Sequence, residues 1–141
     1  MVIAALALGG LFLATYLTLY HYGYIGTLAC GTGACETVQA TKYAMLAGFP
    51  VALWGAGYYA SVLIVALLGT LGSAADRMWP TKMMLALNGW GVIFSGYLTW
   101  LEVAKINAIC RYCVVSAGVV VMLFVLSAMD YRARTQRLVP K

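Results

Sequence analysis

Four stretches of this chain carry no formally charged residue: Val2–Tyr22, Phe49–Gly72, Met83–Leu101 and Val114–Met129. A helix rises about 1.5 Å per residue, so about 20 residues cross the roughly 30 Å hydrocarbon core of a bilayer. Backbone N–H and C=O groups in lipid must be satisfied within the segment, which makes each run a helix. The expected spans are 2–22, 49–72, 83–102 and 110–130, the last opening at Cys110 with Arg111 at its mouth. Composition agrees, because charged residues make up 9% of the chain and hydrophobic ones 64%. Soluble domains run near 25% charged, so this chain has no water-soluble surface to offer. Val2 onward lacks the basic start and the small-residue cleavage site of a signal peptide and is expected to be the first span.

Four crossings put both termini on one side, and the charges test this. Arg77, Lys82, Arg132, Arg134, Arg137 and Lys141 fall on the side of the termini, against Lys42, Lys105 and Arg111 on the other. The excess marks the termini as cytoplasmic. The net charge of +5 therefore reads as an orientation signal and not as a nucleic-acid footprint. The four cysteines all fall on the opposite face: Cys30 and Cys35 in the first loop, Cys110 and Cys113 after the third span. Disulfides persist on that face.

The 141 residues form one domain, without an internal repeat. Tyr16, Tyr20, Tyr22 and Tyr24 suit an aromatic belt at the outer interface, with Trp79 at the inner one. Ala52, Ala56 and Ala60, beside Gly55, form a small-residue stripe for close helix approach. The stretch "ETVQATKYAMLAG" (36–48) predicts a short helix of at most thirteen residues at the outer surface. Gly48 ends it and Pro50 opens the next helix.

The thiols are the chemistry. "CRYC" places two cysteines on nearly one face of a helix start, with Asn107 as the expected N-cap and Cys110 in the first turn. The helix dipole and Arg111 favour a thiolate there, and a thiolate is the species that exchanges disulfides. "CGTGAC" sits in a glycine-rich loop open to a large external partner. One pair facing water and one facing lipid suit a relay. Two other readings remain open: permanent disulfides in a non-catalytic four-helix scaffold or transport-like protein, and a four-cysteine zinc site. The short "CRYC" loop gains little chain entropy from a bridge, and an oxidising face suits zinc thiolates poorly.

The C-x4-C loop followed by "CETVQATKYA", the "GFPVALWGAGYY" stretch and the final "CRYC" resemble the vitamin K epoxide reductase family, specifically its bacterial members. The similarity covers practically the whole chain. It implies an all-α integral membrane fold, a four-helix bundle around a quinone pocket capped by the extracytoplasmic loop and short helix. It also implies an oxidoreductase of the bacterial inner membrane that makes disulfides in secreted proteins. Many relatives continue into a fused thioredoxin-like domain, so its partner would be a separate secreted or periplasmic DsbA-like thioredoxin-fold protein, or a domain lost with a truncation. Electrons would pass to ubiquinone, menaquinone or a vitamin K-type quinone. By the same match Cys110 and Cys113 are the active-site pair and Cys30 and Cys35 the shuttle pair. Cys113 would lie nearest the quinone, Cys110 would exchange with Cys35, and Cys30 would resolve that intermediate.

A quinone pocket needs apolar walls and a few hydrogen-bonding groups. Besides Cys113, the expected lining residues are Thr41, Ser116, Tyr97 and Ala117, the last standing where animal members have a tyrosine. Asn88 suits helix–helix packing, and His21 the interface. Glu102 and Glu36 read equally as proton carriers or as solvated helix ends. A bis-histidine haem site is excluded by the single histidine, and the residues offer no catalytic triad, phosphate loop or metal-binding carboxylate cluster.

Overall fold

A computed structural model describes residues 1–27, 33–71 and 73–139. Four long helices dominate it: α1 (Val2–His21), α3 (Val51–Leu71), α4 (Trp79–Leu101) and α5 (Arg111–Leu138). Between α1 and α3 lie the short α2 (Ala34–Ala40), a 3-10 turn (Lys42–Ala44) and a minimal hairpin of β1 (Met45–Leu46) with β2 (Phe49–Pro50). The long helices pack as a closed ring, α1 on α3, α3 on α4, α4 on α5 and α5 back on α1. Three of them, α1, α3 and α5, are long and apolar enough to cross a membrane. At 23 residues α4 matches them in length, but Pro80, Thr81, Lys82, Asn88, Ser95 and Thr99 make it more polar. It ends at Leu101, one residue before the expected end of that span.

Close packing holds the ring together. A Cβ on Gly10 of α1 would overlap the Tyr59 ring of α3, and one on Gly55 of α3 would stand 3.7 Å from Ala14 Cβ. The small residues thus let α1 and α3 approach one another. The core runs from Ala7 and Ala14 through Tyr59, Val62 and Val65 to Met84, Val120 and Leu123. Asn88, wholly buried, bonds inside it as its expected packing role requires. It accepts from Tyr58 Oη at 2.6 Å and donates to Ser127 Oγ at 2.7 Å.

The two ends of the bundle differ. At one end Arg134 Nη1 donates to Ala75 O at 2.6 Å and Thr81 Oγ1 to Asp130 Oδ2 at 3.3 Å. These bonds tie the α3–α4 connection, with Arg77 and Lys82, to the basic end of α5. At the other end α2, the hairpin and the starts of α3 and α5 come together. There the expected thirteen-residue helix is broken. Thr41 turns extended after α2, its Oγ1 donating to Val38 O at 2.8 Å. Ala47 and Gly48 then both take positive φ, at 53° and 84°, which is the geometry of a tight two-residue hairpin turn. Gly48 closes a hairpin, not a helix, and Trp54 Nε1 donates to Leu46 O at 3.1 Å to pin that hairpin to α3.

Candidate functional site

The connection from α4 to α5 builds the site. Beyond Leu101 the chain widens into one π-helical turn (Glu102–Ile106), a feature that often marks functional positions. Asn107 then adopts a left-handed conformation at φ 53°. It therefore ends the π-turn and does not cap α5; Cys110 is the N-cap, with extended backbone at φ −81°, ψ 116°. The expected register is thus one step off: Cys110 precedes the first turn and Cys113 lies within it. The reversal at Asn107 carries the Cys110 N–H back to Glu102 Oε2, 3.2 Å away.

Cys110 and Cys113 are both free thiols and hydrogen-bond to one another. They face different surroundings. Cys110 is wholly buried and packs in one cluster with Leu17 and with Cys35 and Val38 of α2, flanked by Tyr16, Tyr20 and Tyr112. Cys35 is itself wholly buried and disulfide-bonded. Cys30 lies outside the described residues. Cys113 instead contributes to the wall of a cavity of about 790 Å³ between the helices and the α2–hairpin segment. The Cys110 thiol is held below its ordinary value, chiefly by the Cys113 thiol and also by backbone N–H groups of Cys113 and Tyr112. Burial and the Glu102 charge oppose that shift. Arg111, expected to assist, is exposed.

Most of the cavity wall is apolar, with Leu46, Trp54, Trp90, Phe94, Leu98 and Val120 prominent. Its polar groups are Gln39 of α2 and Tyr43 of the 3-10 turn, Tyr58, Tyr59 and Ser61 of α3, Ser95 and Thr99 of α4, and Glu102, Cys113 and Ser116. The Tyr59 hydroxyl is tied to α5, 2.8 Å from Ser116 Oγ and 3.1 Å from Ser116 O. Of the residues expected to line a pocket, Cys113, Ser116 and Ala117 are in this wall, and the Ser116 hydroxyl is engaged by Tyr59. Thr41 is placed elsewhere, in a shallow depression with His21 and Lys42. Tyr97 points outward, 55% exposed and stacked on Trp100. The helix face explains this: α4 turns Trp90, Phe94 and Leu98 toward the cavity, and Tyr97 falls beside that face.

Glu102 is the residue the sequence left most open. At 4% exposure it is no solvated helix end. Its carboxylate accepts from the Cys110 N–H and from the Cys113 thiol, and it also lines the cavity. Burial pushes its carboxyl up from the ordinary range, and those two hydrogen bonds pull it partway back. The signal available in sequence was an acid closing an apolar run eight positions before the C-x-x-C pair. Tyr58 and Tyr59 were also missed, though two tyrosines in the middle of an apolar helix already demand hydrogen-bond partners.

The model of the vitamin K epoxide reductase family matches residues 1–128.

Proposed function

The chain belongs to the vitamin K epoxide reductase family, a family of membrane redox enzymes, and from that premise we propose that it is a quinone-dependent thiol oxidoreductase. In this reading it crosses the inner membrane of a bacterium four times, α4 included, with termini cytoplasmic and all four cysteines outside. It takes electrons from a secreted thioredoxin-fold dithiol and passes them to a membrane quinone.

One observation carries this. The two thiols of the C-x-x-C pair differ in what they reach: Cys110 is buried inside the cluster that holds Cys35, and Cys113, packed at the edge of that cluster, also lines the cavity. A relay needs that division, because one sulfur must exchange with the incoming pair while the other meets the acceptor. The cavity suits a quinone on its own chemistry. Its size falls in the range of small-molecule sites, and its walls are aromatic and aliphatic with a few polar groups. When bound, a quinone supplies a sink for two electrons and two protons.

The residues divide the work as follows. The Cys30–Cys35 disulfide accepts two electrons from the partner dithiol, which leaves as a disulfide. Thiolate attack by Cys35 on Cys110 moves the electrons to the C-x-x-C pair, and Cys30 resolves the mixed disulfide. The attack on Cys110 breaks the Cys110–Cys113 bond and releases Cys113; when Cys30 then attacks Cys35, Cys110 is the leaving thiolate, a role its lowered thiol and its place at the α5 N-terminus suit. Cys113 then faces the acceptor. Trp54, Trp90 and Phe94 give the cavity its aromatic wall, and the Tyr59–Ser116 bond holds α3 against α5 beside it.

The test is turnover with a purified thioredoxin-fold dithiol and a soluble quinone analogue. Wild type should oxidise the dithiol and reduce the quinone in equal amounts. Cys113→Ala should abolish quinone reduction while a Cys35–Cys110 bridge accumulates, detectable by peptide mapping. Sustained turnover by that variant refutes the mechanism.

A further inference from the structure

Oxidising a dithiol to a disulfide releases two protons along with two electrons, and a cavity walled mostly by apolar side chains holds few groups that can take them. The structure places one acid against the pair. The Glu102 carboxylate accepts the Cys110 N–H at 3.2 Å, interacts electrostatically with the Cys113 thiol, and shares the cavity wall with Cys113. A carboxylate serving only as a cap for the α5 start would need the first of these contacts and neither of the others. The π-turn and the left-handed Asn107 together aim it there.

We propose that Glu102 is the catalytic base that takes the proton of the Cys113 thiol and passes it across the cavity to a carbonyl oxygen of the quinone. This rests on the quinone reading above. The balance is complete. The Cys113 S–H bond breaks and its proton moves to a Glu102 oxygen, while a sulfur–sulfur bond forms between Cys110 and Cys113. Two electrons leave the pair for the quinone, and Glu102 hands its proton to the reduced oxygen. The Cys110 thiol, the more acidic of the two, gives up its proton through the same carboxylate, so that Glu102 carries the two protons in turn. Among the described residues, the ionisable groups acting on this carboxyl are Cys113 and Cys110 of α5. Lys105, in its own turn, lies instead over the Trp100 ring at 5.9 Å.

Glu102→Gln tests this without removing the cap, because the amide oxygen still accepts from the Cys110 N–H. Two readouts are needed. In the first, reduced protein in detergent, free of quinone, is treated with N-ethylmaleimide across the pH range of carboxyl and thiol titration. Modification of Cys113 is followed by mass spectrometry. Wild type should show two inflections, one from the carboxyl and one from the thiol, and E102Q the thiol inflection alone. In the second, quinone turnover in E102Q should fall by about 100-fold or more, the usual scale for a lost general base, with the KM for quinone unchanged. Glu102→Asp, which keeps a carboxylate, should recover part of that loss.

E102Q turning over at the wild-type rate overturns the proposal. So does a lost turnover with two inflections retained, which would make Glu102 a structural cap only. If wild type itself reduces no quinone, the quinone reading fails, and the alkylation profile still decides whether Glu102 takes the Cys113 proton.

Discussion

Replacing Asn88 with alanine tests the polar bolt of the bundle. Asn88 is wholly buried and joins α4 to α3 and α5 at once. Tyr58 Oη donates to its Oδ1 at 2.6 Å, and its Nδ2 donates to Ser127 Oγ at 2.7 Å. A third contact, to Leu123 O at 3.5 Å, is too long to add much. Side-chain hydrogen bonds between membrane helices average about 0.6 kcal/mol and reach about 1.7, so the two good bonds contribute about 1 to 3 kcal/mol. The variant does not orphan both partners. Ser127 Oγ still donates to Leu123 O at 2.7 Å, leaving Tyr58 as the stranded hydroxyl. The useful quantity is therefore the coupling between Asn88→Ala and Tyr58→Phe. The double variant should be less destabilised than the sum of the singles by about 0.6 to 1.7 kcal/mol. Each protein is unfolded reversibly in mixed detergent micelles and followed by far-ultraviolet circular dichroism. A coupling within the roughly 0.3–0.5 kcal/mol scatter of independent sites would refute the view that this bond ties α3 to α4.

Two further predictions follow from the packing and the thiols. Gly10→Ala forces a methyl group into the Tyr59 ring and should cost about 1–3 kcal/mol by overpacking. Gly9→Ala, with nothing within 4 Å of the added carbon, should be neutral or gain up to about 1 kcal/mol of helix propensity. Equal effects in the same unfolding assay would show that α1 and α3 do not meet at Gly10. The Cys110 thiol is lowered chiefly by Cys113, so its thiolate, and with it its reaction with a small thiosulfonate, should persist to lower pH than for free cysteine. Cys113→Ala should move the half-maximal pH for Cys110 upward, read by mass spectrometry of the modified peptide; an unchanged or lower midpoint contradicts the assigned cause.

Much of this molecule could be read before folding. The charge-free runs located the four long helices, although α5 runs on to Leu138, eight residues past the expected end at 130, and Arg134 near that end bonds Ala75 of the α3–α4 connection. Asn88 was legible as a packing residue, since an amide in an apolar run must find partners. Local turn chemistry was less legible. Gly48 and Asn107 were recognised as punctuation, but a glycine after an apolar stretch ends a helix or turns a hairpin equally well, and the choice depended on β1 finding β2. Pocket residues were harder still. Ser116 and Ala117 fall on the cavity face of α5, whereas Thr41 and Tyr97 sit on chain segments of the right position along the bundle axis and the wrong rotation about it.

The residues alone marked this chain as a bundle of long apolar helices suited to a membrane, because uncharged runs of that length have one stable form in lipid. Tertiary packing put Cys110 in one buried cluster with Cys35 and Cys113 on the cavity wall, and it buried Glu102 on that same wall. Helices that are apolar on every side do not encode their own rotation. That setting comes from where Gly10 admits the Tyr59 ring, where Asn88 finds its partners and how the π-turn before Asn107 swings α5 into place.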